Sequence, residues 1–191
     1  AAILYQPYAG QYDSKALADV IFGDYAPTGR LSTTWYSGTE SFPEINKYSL
    51  PEGTTPETLE EIDPRFTVDM SNGDPIESKM TYMYTDADVT YEFGFGLSYS
   101  TFEYSNLVVP EDVSGEEAFE VTVDVENTGN TSTDEVVQLY IHNDNSAYGD
   151  YSPKKKLVSY DKVKLRVGES KTVTLTVEPS EFAVWDVNRC D

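Results

Sequence analysis

The stretch FEVTVDV, residues 119–125, decides the fold, because apolar and polar residues alternate in it without a break. Phe119, Val121, Val123 and Val125 fall on one side of an extended chain, and acidic residues and a threonine fall on the other. Strict alternation of this kind is typical of an antiparallel strand that has one buried face and one face in water. The stretch therefore predicts a strand of a sheet that covers an apolar core.

The same period of two recurs in three later stretches. Their predicted inward residues are Val137, Leu139 and Ile141; Val163, Leu165 and Val167; and Val173, Leu175 and Val177. Turn-forming residues at 127–130, 143–153 and 168–170 separate the stretches. Several short strands at this spacing predict an antiparallel β-sandwich of immunoglobulin or fibronectin type III shape. Alternation accounts for about five or six strands where seven are usual, so the sandwich is expected to be truncated.

The beginning of the chain predicts a different architecture. Residues 2–5 are a short apolar run, typical of a strand buried on both faces, and residues 31–35 predict a second strand. A strand, a helix and a strand form an α/β unit, but one such unit cannot make a sheet domain by itself. We therefore expect the chain to begin inside an α/β domain.

A helix is predicted between these two strands. Asp13 or Ser14 is expected to cap its first turn through a side-chain oxygen. Gly23 is expected to end it, since a residue without Cβ adopts the left-handed conformation easily. The helix residues predicted to share one apolar face are Leu17, Val20 and Ile21.

Residues 36–91 lack a regular pattern and contain prolines at positions 43, 51, 56, 64 and 75. A loop of this length is usually functional or lies against another surface, and a poorly ordered linker is the alternative. Residues 80–84, MTYMY, alternate in size and are expected to pack on one face.

The next segment, YEFGFGLSYSTF at 91–102, is rich in aromatic residues and glycine. Gly94 and Gly96 let the backbone turn where a side chain would clash. The aromatic residues are expected to fill the seam between two domains, in preference to forming a platform for a sugar. They are Tyr91, Phe93, Phe95, Tyr99 and Phe102.

Composition excludes several classes of function. The chain has 191 residues, a net charge of −21 and a single cysteine, Cys190. A field of this sign repels phosphate backbones and anionic lipid headgroups, so we predict no nucleic-acid partner and no membrane partner. An internal disulfide is impossible. Asn130 begins a glycosylation sequon, Asn-Thr-Ser, whose use depends on the cell compartment. The compartment itself stays open, with an extracellular location favoured over a cytoplasmic one.

Three stretches, in order, carry a resemblance to a known family. They are AGQYDSKALADVIFGDYAPTGRLSTTW at 9–35, MTYMYTDADVTYEFGFGLSYSTFEYSNL at 80–107, and the segment from DEVVQLY to KTVTLTV at 134–177. The first resembles the end of the α/β sandwich of glycoside hydrolase family 3, the second its link into the last domain, and the third its fibronectin type III-like domain. The resemblance implies three regions: the end of the α/β sandwich (1–49), a loop-rich connector (50–92) and the β-sandwich (93–191).

The resemblance also implies a function and a partner. Members are retaining β-glycosidases that hydrolyse terminal β-linked glucose or xylose from oligosaccharides, with a carboxylate nucleophile and an acid/base group. Both groups are expected on a barrel-bearing N-terminal portion that precedes residue 1, so no catalytic residue is assigned in this chain, and no substrate-binding residue, metal or cofactor either. The alternative is a non-catalytic β-sandwich module that binds carbohydrate or protein.

Several residues that suggest chemistry are interpreted as structural. His142 has no partner at ligand spacing, and the loop acids lack the regular spacing of a calcium site. The run Lys154–Lys156 is expected to be a solvated turn, and Ser14, Ser98 and Ser100 lack a nearby histidine. Tyr82 and Tyr84 are expected to pack in a core, with the rim of a sugar site as the alternative. The loop acids in question are Asp144, Asp150 and Asp161.

Overall fold

The fold is seen in a computed structural model that describes residues 2–41, 81–113, 115–144 and 152–182. One helix, α1 (Asp13–Phe22), lies near the beginning. A short antiparallel ribbon pairs β1 (Trp35–Tyr36) with β2 (Val89–Tyr91). The other strands form two sheets, and the bounds of these strands are β3 (Phe102–Val108), β4 (Phe119–Asn127), β5 (Thr133–Ile141), β6 (Lys156–Leu165) and β7 (Ser170–Val177).

The two sheets confirm the predicted antiparallel β-sandwich. One sheet has the strand order β3-β4-β7, and the other pairs β5 with β6. In the first sheet Val121 lies opposite Leu175 and Val123 lies opposite Val173, so the inward residues of β4 and β7 meet on one face. The core between the sheets consists of Val123, Val125, Val137, Leu165, Val173 and Leu175, with Phe102, Leu139 and Val163 packed against it.

Alternation predicts the inward residues well as far as each strand extends. Val167 is the exception: it was predicted to point inward, but it is 52% exposed. Strand β6 ends at Leu165, and the chain then enters the turn around Gly168, whose φ is 72°. Once the chain leaves the sheet, a period of two no longer specifies which way a side chain points.

The predicted strand at residues 2–5 is wrong. These residues have no strand conformation, and Ile3, Leu4 and Tyr5 are 74%, 45% and 56% exposed. A strand exists only where another strand pairs with it, and no described residue does so here. Of the second predicted strand, 31–35, only Trp35 has strand conformation, as the first residue of β1.

Helix α1 forms where it was predicted and ends at Gly23, whose φ is 83°. The predicted side-chain cap is wrong: Tyr12 occupies the N-cap position and makes no capping hydrogen bond. Asp13 is instead the first helical residue, and its carboxylate accepts a hydrogen bond from the Gln6 amide. Within the described ranges, no helix is both long and apolar enough to cross a membrane.

Candidate functional site: the aromatic linker

The aromatic linker, residues 91–101, joins the N-terminal part of the chain to the β-sandwich. It binds the N-terminal part through its backbone: the amide of Gly94 donates to Leu31 O (2.7 Å), and the amide of Leu31 donates to Phe95 O (2.8 Å). Tyr99 adds a side-chain contact, because its hydroxyl donates to Val20 O at the end of α1 (2.7 Å). The linker therefore holds both α1 and the segment that follows it.

Two rows of aromatic rings extend the contact between the linker and the rest of the protein. In the first, Tyr5 meets Trp35 edge to face, Trp35 meets Tyr91, and Tyr91 stacks on Phe95 with ring centroids 5.0 Å apart. Aromatic pairs at such distances stabilise beyond the area they bury. These rings join the linker to the N-terminal part, although Phe95 and Tyr99 are 40% and 49% exposed, so that they line this contact without being fully buried in it.

The second row of rings reaches the sandwich. Phe93 stacks on Tyr82 with centroids 4.0 Å apart, and Tyr82 meets Tyr140 of β5 edge to face. The Tyr82 hydroxyl also accepts a hydrogen bond from the amide of Leu157 (3.1 Å). Tyr82 lies in a turn at 81–84, which replaces the predicted alternating stretch from residue 81 onward; Met80 lies outside the described residues.

Gly94 of the linker lies directly against β5. Its φ is 82°, and a Cβ at this position would lie 2.3 Å from Gln138 Oε1 and 2.4 Å from the Tyr140 hydroxyl. Gln138 Nε2 donates to Gly94 O (3.1 Å), and the Tyr140 hydroxyl donates to Gln138 Oε1 (2.7 Å). Only glycine allows this approach in a left-handed conformation.

A cavity of about 550 Å³ lies beside this contact. Its floor is aromatic, and its polar groups bind one another, as Gln138 and Tyr140 do. Burial raises the pKa of Tyr140, and the neighbouring Tyr82 and Glu92 raise it further, so the Tyr140 hydroxyl stays protonated and donates. The lining residues are Val89, Thr90, Tyr91, Glu92, Phe93, Gly94, Phe95, Gln138, Tyr140 and Lys155.

The run Lys154–Lys156, predicted as a solvated turn, is an ion-pairing segment. Lys154 pairs with Asp86 and Lys155 pairs with Glu92, so both bind the region around β2. Lys156 pairs with Glu181 near the last described residues (3.1 Å). The amide of Lys154 also donates to Met83 O (2.7 Å). The prediction of a solvated turn is therefore incomplete: Lys154 and Lys155 are half exposed, but all three lysines join segments that are distant in sequence, and Lys156 already belongs to β6.

A buried asparagine holds the far end of the linker. Asn127 is fully buried, and its side-chain amide donates to Thr131 O (2.8 Å) and Leu165 O (3.2 Å). Its Oδ1 accepts from the Ser100 hydroxyl (2.6 Å). The predicted turn at 127–130 thus binds the linker directly. The sequence predicted the turn but did not show that its first residue, Asn127, would be buried.

The other residues that suggested chemistry do not come together in a single site among the described residues. His142 is exposed, with Nε2 3.0 Å from Asp144 Oδ1. Ser100 is committed to Asn127, whereas Ser98 Oγ is buried and finds no hydrogen-bond partner among the described residues. Over the described ranges no group of three histidine, cysteine or acidic residues could hold a metal ion. Asp150 and Cys190 lie outside the described residues.

Comparison with known proteins matches both parts of the chain. Residues 1–99 match the model of the glycosyl hydrolase family 3 C-terminal domain, and residues 135–191 match the model of a fibronectin type III-like domain. A xylan 1,4-beta-xylosidase of Xylanibacter ruminicola is 31% identical over 97% of this chain and 18% of its own length. A thermostable beta-glucosidase B of Acetivibrio thermocellus is 34% identical over 93% of this chain and 22% of its own length.

Solved structures show the same likeness. The crystal structure of a family 3 beta-glucosidase from Bifidobacterium adolescentis matches with a TM-score of 0.71 and 31% identity. The match covers 95% of this chain and 24% of that structure. The chain thus spans about a fifth of the length of the curated relatives described above.

Proposed function

This chain belongs to glycosyl hydrolase family 3, and we propose that it forms the C-terminal part of a retaining β-glycosidase. The proposed substrates are oligosaccharides with a terminal β-linked glucose or xylose. The matched relatives, a beta-glucosidase and a xylan 1,4-beta-xylosidase, support both sugars equally. The high negative charge is compatible with a neutral sugar, since a neutral ligand is not repelled.

The proposed role of this chain is to complete and brace the domain that walls the active site. The observation that carries this proposal is the apolar surface of residues 3–25. Helix α1 has no buried residue, and Ile21 and Phe22 are 61% and 81% exposed. An exposed apolar surface of this extent usually marks an interface. Its exposed members are Ile3, Leu4, Tyr5, Tyr8, Tyr12, Ile21, Phe22 and Tyr25.

The proposed partner for this surface is the barrel-bearing N-terminal portion of the same enzyme, whether as a separate chain or as part of one polypeptide. That portion would supply the nucleophile and the acid/base group, about 5 Å apart as retention requires. The acids that border the linker support this division of labour. Asp86, Glu92 and Glu135 are each paired with a lysine or arginine, so each of these acids is engaged in a contact between segments of the chain.

The division into regions 1–49, 50–92 and 93–191 is part of the same proposal. The contacts described above support a joint near residue 93, because the adjacent Gly94 binds both Leu31 of the N-terminal part and Gln138 of β5. Much of the proposed connector, residues 42–80, lies outside the described residues.

An activity assay tests the proposal. The isolated chain and the same chain joined to its barrel-bearing portion are each given chromogenic β-glucosides and β-xylosides. We expect hydrolysis with retention by the joined protein only. Hydrolysis by the isolated chain would show that its own residues carry the chemistry, and inactivity of the joined protein on both substrates would contradict the assigned reaction.

A further inference from the structure

Glu135 breaks the alternation of the sandwich in an informative way. It lies two residues before Val137 on β5 and shares the inward face of that strand. Its side chain is 9% exposed, although a carboxylate is rarely placed among core valines. A buried carboxylate is costly unless a cation and hydrogen-bond donors compensate for its lost hydration. Glu135 therefore needs partners, and these define a second contact across the seam.

The cation comes from the N-terminal part of the chain. Arg30 Nη2 lies 2.6 Å from Glu135 Oε2, and the Arg30 side chain is 14% exposed. The other carboxylate oxygen, Oε1, accepts a hydrogen bond of 2.8 Å from the Tyr104 hydroxyl of β3. The two oxygens of one acid thus bind an arginine 105 residues away and a tyrosine of the opposite sheet.

Arg30 belongs to a short loop, residues 28–31, that is docked tightly on the linker. Its second nitrogen, Nη1, makes long contacts to Thr28 O (3.4 Å) and Gly29 O (3.3 Å) within the loop. Gly96 lies against the loop so closely that a Cβ there would be 2.4 Å from Gly29 O. The guanidinium therefore binds its own loop and the sandwich at once, which a lysine could not do with the same geometry.

We propose that Arg30, Glu135 and Tyr104 form a latch by which the β-sandwich keeps the loop 28–31 ordered. When the latch is closed, the sandwich neutralises its buried acid and the loop is held on the linker. When it is opened, Glu135 loses its cation, and the loop keeps its contacts to residues 94–96 without the support of the sandwich. The latch does not depend on the reaction assigned above, because its effect is on the order of the loop.

Hydrogen exchange in the full-length polypeptide that carries this chain tests the latch. The reporters are the amides of Leu31 and Gly94, which donate across the loop and linker. The variants are Glu135→Gln, which removes the charge, and Tyr104→Phe, which removes only the hydroxyl. We expect exchange at both reporters to rise about tenfold, as for the loss of a hydrogen bond to a charged group, while amides of β4 keep their protection.

The matched control is Asp134→Asn. Asp134 directly precedes Glu135 on β5, and it forms an outward pair with Lys162 (3.2 Å). This variant is expected to leave both reporters unchanged. The latch is refuted if the reporters do not respond to Tyr104→Phe, if β4 loses protection to the same extent as the reporters, or if Asp134→Asn has the same effect as Glu135→Gln.

Discussion

Gly94 is held at the seam by two features of its surroundings. Its left-handed backbone and its contact with two β5 side chains are separate demands, and a methyl group violates both. Gly168 shares only the left-handed backbone: its φ is 72°, but nothing lies within 4 Å of a Cβ built there. A comparison of alanine substitutions at Gly94 and Gly168 therefore separates the cost of backbone strain from the cost of a steric clash.

Gly94→Ala is expected to lower the free energy of unfolding by about 3 kcal/mol, as strain and overpacking add. Gly168→Ala should cost about 1 kcal/mol from strain alone. Urea unfolding of the full-length protein, followed by near-ultraviolet circular dichroism, measures both. Equal costs for the two variants would mean that the contact with Gln138 and Tyr140 does not constrain the linker.

Tyr104 makes stability depend on pH in the alkaline range. Burial raises the pKa of its hydroxyl above the ordinary value of 10.0, and the hydrogen bond and charge of Glu135 raise it further, with Arg30 acting in the opposite direction. A hydroxyl whose pKa is higher in the folded state stabilises the fold fully below its unfolded pKa. That contribution is lost as the pH rises above about 10.

The stability difference between the natural protein and Tyr104→Phe isolates this contribution, since Tyr84 and Tyr140, whose pKa values are also raised, remain in both. We expect a difference of about 1 kcal/mol at pH 7, which shrinks steadily above pH 10. Chemical unfolding at several pH values gives the curve. A difference that stays constant to pH 11 would show that the Tyr104 hydroxyl does not donate to Glu135.

At the scale of the strand, the contribution of an apolar residue to stability depends on whether the sheets bury its side chain. Val125 of β4 has no exposed surface, whereas Val167 lies beyond the end of β6 and is half exposed. The two valines are indistinguishable by alternation. They should differ in the energy that their side chains contribute.

Val125→Ala is expected to cost about 2–3 kcal/mol through lost burial and the cavity left behind. Val167→Ala should change the free energy of unfolding by less than about 0.5 kcal/mol. Thermal and urea unfolding of the two variants compare them directly. A large loss at Val167 would restore the prediction that this residue points into the core.

The strands could be predicted because the alternation of apolar and polar residues is visible within each short segment of the sequence. The ends of the strands were harder to predict. At Val167, for example, the alternation continues in the sequence although the chain has already entered a turn. Residues 2–5 were assigned wrongly for another reason: their apolar run suits a buried strand, yet a strand needs neighbours to pair with. The predicted helix cap was wrong because the helix begins one residue earlier than expected: Tyr12 occupies the N-cap position, and Asp13 is already helical.

At the scale of the whole molecule, a few cations join segments that are far apart in sequence. The chain has 13 basic residues against 34 acidic ones. Arg30, Lys154, Lys155 and Lys156 each bind an acid on another segment. Surface pairs of this kind contribute little singly, whereas the nearly buried pair of Arg30 is costly to break from one side.

The order of the three motifs predicted the family. The latch was not predicted, although a signal for it exists: extending the inward phase of β5 back from Val137 places an acid at a core position. Sequence alone could not name the partner of Glu135, because Arg30 lies 105 residues earlier and meets it only in the folded chain.

The central claim is that the exposed N-terminal surface is covered when this chain is joined to the rest of its enzyme. Amide exchange within α1 (Asp13–Phe22) measures this most directly, in the isolated chain and in the joined protein. We predict that α1 exchanges at nearly unprotected rates in the isolated chain and becomes strongly protected on joining, while β4 is protected in both. Equal and strong protection of α1 in the two proteins would contradict the account.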